Sequence, residues 1–246
     1  MNFTRSLLFF GLPGIAIIAG VYLGVPLATD HGIALIISWT AAIWLPIVTM
    51  LAWVVFQHRQ SASALSFRER FWLTKPTKEA WIAIFAGFLT LQLCEILLAS
   101  TGTYFAQFPF FAPPEIIPEL FDPRLDISQG LASFLGVPVR GNWWLVLFWL
   151  GWLVINIGGE ELLWRGYALP LQQRYFGKWA WLINGLCWNL LVHAFMRWNF
   201  LTLMPISLVI PFLVQRYQNS WIGIAIHGLG NALVLAILIP SIAGWL

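Results

Sequence analysis

Residues 143–157, WWLVLFWLGWLVINI, contain no ionisable side chain and run directly into GGEELLWRG at 158–166. A run this apolar suits a bilayer-spanning helix, because hydrocarbon admits only structures that satisfy their backbone hydrogen bonds internally. Similar runs, several shorter than the roughly 20 residues a span needs, recur at 7–27, 33–56, 80–99, 143–163, 179–195, 201–214 and 221–239. The predicted fold is all-α: a polytopic membrane helical bundle of about seven transmembrane helices, or eight if the 100–142 connection holds another. Only 9% of residues are charged, against about 25% in a soluble domain. One integral membrane domain is expected over 1–246, with its motif-bearing core at about 143–240.

The small net charge of +3 argues against a nucleic-acid partner; the lipid bilayer is the expected surroundings. Lys and Arg instead read as topology signals. Arg5, then Arg59, Arg68, Arg70, Lys75 and Lys78, then Arg174 and Lys178, then Arg216 occupy alternate connections. The positive-inside rule places these in the cytoplasm with the N-terminus, and the protein is expected to be multi-pass in the plasma membrane. The first apolar stretch is longer than the roughly 7–15 residues of a signal-peptide core, so it reads as a retained span. Cys94 and Cys187 lie in apolar segments and form no CxxC pattern, which suggests neither a disulfide framework nor a metal clip. Two connections have features of their own. SALSFRERFWL (63–73) suits an interfacial helix, and the Pro- and Phe-rich TYFAQFPFFAPPEIIPELF (103–121) suits a lid lying on the membrane; ordinary interface anchoring is the plainer account of both.

Ionisable residues at membrane depth point to function. They are Glu95, Glu160, Glu161, Arg165, His193 and His227, with Asn231 as a polar companion. Glu161 and Arg165 are four apart on a helix, so they share a face and can pair. Glu160 is rotated by about 100° and faces another partner. A carboxyl beside a like charge in a dry site is the type a general base requires. The turn before the His193 helix falls near Gly177; Glu160 and His193 lie nearly equidistant from it, so an antiparallel hairpin brings them level. Continuing that helix to Phe176 makes it about 51 Å long at roughly 1.5 Å per residue, so either Gly158–Gly159 breaks it or QQRYF projects from the membrane. His227 and Asn231 share a face, and Gly228 and Gly230 beside them allow close helix approach. Glu95, one turn after Gln92, is expected to make an interhelical hydrogen bond or to add charge to the cavity. Unpaired, each of these groups costs stability, so the set is expected to meet.

At these residues the chain resembles the CAAX protease and bacteriocin-processing enzymes, the CPBP or Abi family, whose members include the Ras-converting prenyl-protein endopeptidases. That family carries EExxxR, FxxxH and HxxxN or HxxxD motifs on successive membrane helices. Glu160-Glu161-Leu-Leu-Trp-Arg165 matches the first and His227-Gly-Leu-Gly-Asn231 the third. In the second, His193 is present but Asn189 replaces Phe, and the aromatic Trp188 lies one place earlier. The resemblance covers about 143–240 and implies an intramembrane endopeptidase acting on a membrane-associated protein or peptide. It implies Glu160 as the base that activates water, His193 as its assistant, His227 and Asn231 as oxyanion donors, and Glu161 with Arg165 as the supporting pair. A metal site is the rival chemistry: two His and a Glu also suit a divalent ion such as Zn²⁺. Asn231 fits a hydrogen-bond donor better than a ligand. The alternatives are a non-catalytic immunity or scaffold protein of the same family and, from the buried Glu and His, a proton-coupled transporter. The transporter predicts internal repeats, and none is apparent.

Overall fold

Apolar segments satisfy their own backbones first, and small residues then decide where helices approach. The computed structural model describes residues 1–61 and 65–246. Seven long helices dominate the described residues: α1 (Phe3–Asp30), α2 (Leu35–Gln60), α3 (Lys78–Phe105), α4 (144–176), α5 (180–199), α6 (Met204–Tyr217) and α7 (Trp221–Ala243). Five helical stretches are long and apolar enough to cross a membrane, and one of them, Trp144–Asn199, contains both α4 and α5. These two meet at Gly177, whose φ of 55° turns the chain. The fold is an all-α membrane bundle, and the chain is an integral membrane protein.

Hydrogen bonds sort the connections to opposite ends of the bundle. At one end Ser220 N donates to Trp72 O (2.8 Å), Asn219 Nδ2 to Thr74 O (2.9 Å) and Gln215 Nε2 to Gly177 O (3.2 Å). At the other, Gly141 N donates to Ile242 O (2.9 Å), and the Thr101 and Thr202 hydroxyls lie 3.1 Å apart. Each of the seven helices therefore runs from one end to the other.

The long connection after α3 holds no eighth span. It contains single turns at Glu119–Phe121 and Ile127–Gln129 and a hairpin pairing Ser133–Phe134 with Val137–Pro138. Its prolines and short apolar runs cannot sustain a membrane helix. It folds back over the bundle: the Glu119 carboxylate accepts from Ala132 N (3.0 Å), Ser133 N (3.2 Å) and Ser133 Oγ (2.9 Å). Phe121 stacks on the buried Trp39 of α2, ring centroids 5.7 Å apart. Of the segment expected as an interfacial helix, only Phe67–Arg70 is helical, closed by a Ser66–Glu69 capping box and ended at Trp72, whose φ is 52°. Ser63 and Ala64 lie outside the described residues.

Glycines set the closest helix contacts. A Cβ at Gly14 of α1 would lie 2.2 Å from Leu191 O of α5, and one at Gly185 of α5 would lie 2.1 Å from Ser207 O of α6. Gly158 and Gly159 do not break α4. Its backbone stays right-handed through both. What varies along α4 is the winding: 153–157 and 162–168 are π-helical. Pro170 has no N–H to offer the turn before it. Asn184 Nδ2 of α5 donates to the Trp164 carbonyl at 2.8 Å, a second donor beside Leu169 N in the loosened stretch.

Candidate active site

The two adjacent glutamates of α4 are fully inside the bundle and have separate partners. Glu161 faces Arg165, with Nη1 to Oε1 at 3.3 Å and neither side chain accessible. The same Oε1 lies 2.9 Å from His227 Nδ1 of α7. A carboxylate that deep requires compensation, and it has one full and one titratable cation beside it. This contact exists because α7 comes unusually close: a Cβ at Gly223, one turn before His227, would lie 2.2 Å from Glu161 Oε2. The glycines expected to permit that approach do not. Gly228 has nothing within 4 Å, and Gly230 only Gln92 Nε2 at 3.9 Å.

Glu160 points elsewhere. Its Oε1 accepts from Asn156 Nδ2 at 2.8 Å, one turn earlier on α4, and its Oε2 accepts from Trp188 Nε1 of α5 at 2.8 Å. Trp188 is the hub of the site. The Arg165 guanidinium carbon lies 4.3 Å from its ring centroid, the His193 ring 4.2 Å and the His227 ring 5.5 Å. Asn156, Trp188 and Gly223 did not emerge from the motifs. Asn156 was readable as the residue four before Glu160; the other two required the tertiary fold.

Departure from a regular helix explains Trp188. Residues 188–192 are π-helical, and a π turn aligns residues five apart rather than four. Trp188 and His193 are five apart, and His193 Nδ1 lies 3.4 Å from Trp188 O. With the carbonyl accepting, Nδ1 carries the proton and Nε2 presents a lone pair. Asn189, at the position of the motif's Phe, is turned away, donating to Phe200 O (2.9 Å). After His193 the chain tightens to a 3₁₀ stretch, kinked at Met196.

Glu160, His193, His227 and Asn231 all line one cavity of about 80 Å³. Ile17 of α1, Ile43 and Ile47 of α2, Trp149 and Asn156 of α4 and Phe121 of the outer connection complete its wall. The expected convergence of Glu160 and His193 across the hairpin is met. Arg165 and Glu161 sit behind it, against His227. Asn231 Nδ2 donates to His227 O at 3.2 Å, and Trp149 Nε1 donates to Asn231 O at 3.1 Å. Glu95 meets neither expectation: it is exposed on α3, outside the cavity lining, with no hydrogen bond or ion pair to the described residues.

Among the described residues no three His, Cys, Asp or Glu side chains converge on one point. Both Glu160 oxygens accept hydrogen bonds, and each His directs Nδ1 at an oxygen of the protein, which leaves both Nε2 atoms for the cavity. The arrangement suits proton transfer and hydrogen bonding within a small enclosed space.

No curated protein and no solved structure matches the chain. The match that does exist falls on the segment bearing the site: residues 142–233 match the family of Rce1-like type II CAAX prenyl endopeptidases, consistent with the CAAX protease resemblance of the three motifs.

Proposed function

We propose that the chain is an intramembrane endopeptidase that cleaves a membrane-associated protein or peptide with a glutamate-activated water. The observation that carries this reading is the division between the glutamates: Glu161 is occupied by Arg165 and His227, while Glu160 faces the cavity with His193, His227 and Asn231. In the reaction, Glu160 takes a proton from water as its oxygen attacks the scissile carbonyl carbon. His193 Nε2 accepts a hydrogen bond from the same water. The proton then passes to the departing amide nitrogen as the C–N bond breaks. A positioned base of this kind contributes about 10²–10⁴-fold.

The negative charge developing on the carbonyl oxygen requires donors. His227 and Asn231 line the same space, and His227 donates from Nε2 when its ring is doubly protonated against Glu161. Removing one such donor costs about 10²–10³ in rate. Glu161 and Arg165 then act by holding His227 rather than by touching substrate.

The alternation of basic connections supports a cytoplasmic N-terminus, and the plasma membrane is the proposed location. The matched family's description makes a prenylated CAAX peptide the first probe. The test uses proteoliposomes with two internally quenched peptides, one farnesylated and CAAX-ended, one an unmodified transmembrane segment. Cleavage of either that survives chelator and falls at least about 100-fold in His193→Ala supports the reading. Failure on both, or abolition by chelator, contradicts it.

A further inference from the structure

We infer that Trp188 is a positioning residue for the proposed reaction: its indole N–H holds the Glu160 carboxylate, and the π turn at 188–192 exists to bring it there. The inference rests on the endopeptidase reading for its consequence in rate, but its geometry stands independently. Trp188 is only 1% exposed and touches Glu160, Arg165, His193 and His227. Its edge donates to Glu160 Oε2 at 2.8 Å. Its faces and rim meet the Arg165 guanidinium at 4.3 Å, the His193 ring at 4.2 Å and the His227 ring at 5.5 Å. One rigid ring thus fixes the spacing of four charged or titratable groups drawn from three helices.

The register carries the argument further. In a regular α-helix the residue four before His193 would share its face, and that residue is Asn189. The π-helical stretch adds one residue to the turn, so Trp188 takes the inward place and Asn189 is directed at Phe200 O. The widened turn is braced from outside, because Gly14 of α1 admits the Leu191 backbone where a Cβ would lie 2.2 Å from Leu191 O. The exchange has a chemical result. A phenyl ring could stack on His193 but could not donate to Glu160; an indole does both. With Asn156 Nδ2 on the other oxygen, the carboxylate is held in one rotamer by two donors, which stabilise its charged form.

The test replaces Trp188 by residues that keep the ring and lose the N–H: Trp188→Phe and the near-isosteric Trp188→3-benzothienylalanine. Loss of a hydrogen bond to a charged acceptor corresponds to about one pH unit or more. The acid limb of kcat/KM for the cleaved probe peptide is expected to move up by about one unit in both variants. A second readout needs no substrate: the infrared carboxylic-acid band that vanishes in Glu160→Gln should appear in both variants at a pH about one unit higher than in wild type. A merely structural Trp188 would lower the melting temperature and leave both midpoints in place, and that result overturns the inference. In a Trp188→Leu background, Asn189→Phe is expected not to restore activity; restoration would overturn the register argument. An active Glu160→Gln would instead defeat Glu160 as the base of the proposed function, and the infrared comparison of Glu160 would still decide the role of the indole.

Discussion

Gly223→Ala is the sharpest structural perturbation the site offers. The new Cβ would lie 2.2 Å from Glu161 Oε2 and 3.1 Å from both Glu161 Cδ and Ile210 Cγ2. Relief requires a movement of about 1 Å to reach ordinary contact. A carboxylate at the end of a side chain usually moves cheaply, but this one is inaccessible and held by Arg165 at 3.3 Å and His227 at 2.9 Å. Either those contacts lengthen or α7 backs away from α4. Overpacking alone costs about 1–3 kcal/mol, and breaking one side of a buried ion pair about 3–5 kcal/mol. A loss of about 3 kcal/mol lowers the melting temperature by roughly 6–12 °C in a chain of this size. The assay is thermal unfolding in detergent, followed by the loss of monodisperse protein, with Gly228→Ala as control on the same helix. Gly228 has open space around it, so its substitution should be neutral or slightly stabilising. If Gly223→Ala melts within about 2 °C of wild type and retains cleavage, the close approach that seats His227 on Glu161 is wrong.

Three further outcomes follow from named contacts. Glu161→Gln removes the carboxylate paired with the buried Arg165 and should destabilise the protein by about 3–5 kcal/mol, read as a melting-temperature drop larger than that of Glu160→Gln. Asn184→Leu strands Gln172 Oε1 and removes the side-chain donor of the Trp164 carbonyl, which keeps Leu169 N; Asn184 Nδ2 donates to each at 2.8 Å. It should cost about 1–3 kcal/mol in the same melt. Glu119→Ala removes the acceptor of three hydrogen bonds in the outer connection. Deuterium exchange of the amides at 132–133 should accelerate while the melting temperature stays within about 3 °C; unchanged exchange would show that the connection is held by other contacts.

The motifs that sequence exposed and those it concealed differ for a physical reason. Glu161 with Arg165, and His227 with Asn231, were legible because α-helical spacing places residues four apart on one face. The level of Glu160 and His193 was legible because a hairpin turning at Gly177 imposes equal arm lengths. Seven helices followed from apolar length, and five stretches are long and apolar enough to cross a membrane, α4 and α5 together forming one of them; α6, at 14 residues, falls below the usual length of a span. Trp188 was concealed because π winding changes the register from four to five, and no composition signal marks such a turn. Gly223 was concealed because a glycine's purpose depends on what faces it; Gly228 and Gly230, nearer the motif, face little. The His227–Glu161 contact is a tertiary event between α7 and α4, and equal claims on the histidine by either glutamate were open until the helices were placed. Glu95 shows the converse, since a buried-looking carboxyl in an apolar helix is exposed on α3.

Comparison of probe-peptide turnover by wild type, Glu160→Gln and Glu161→Gln in one proteoliposome preparation separates a catalytic Glu160 from a supporting Glu161. Melting curves taken alongside verify that each variant is folded. The account predicts that Glu160→Gln melts close to wild type yet loses at least about 100-fold in kcat, whereas Glu161→Gln loses stability first. Wild-type turnover by folded Glu160→Gln would contradict it.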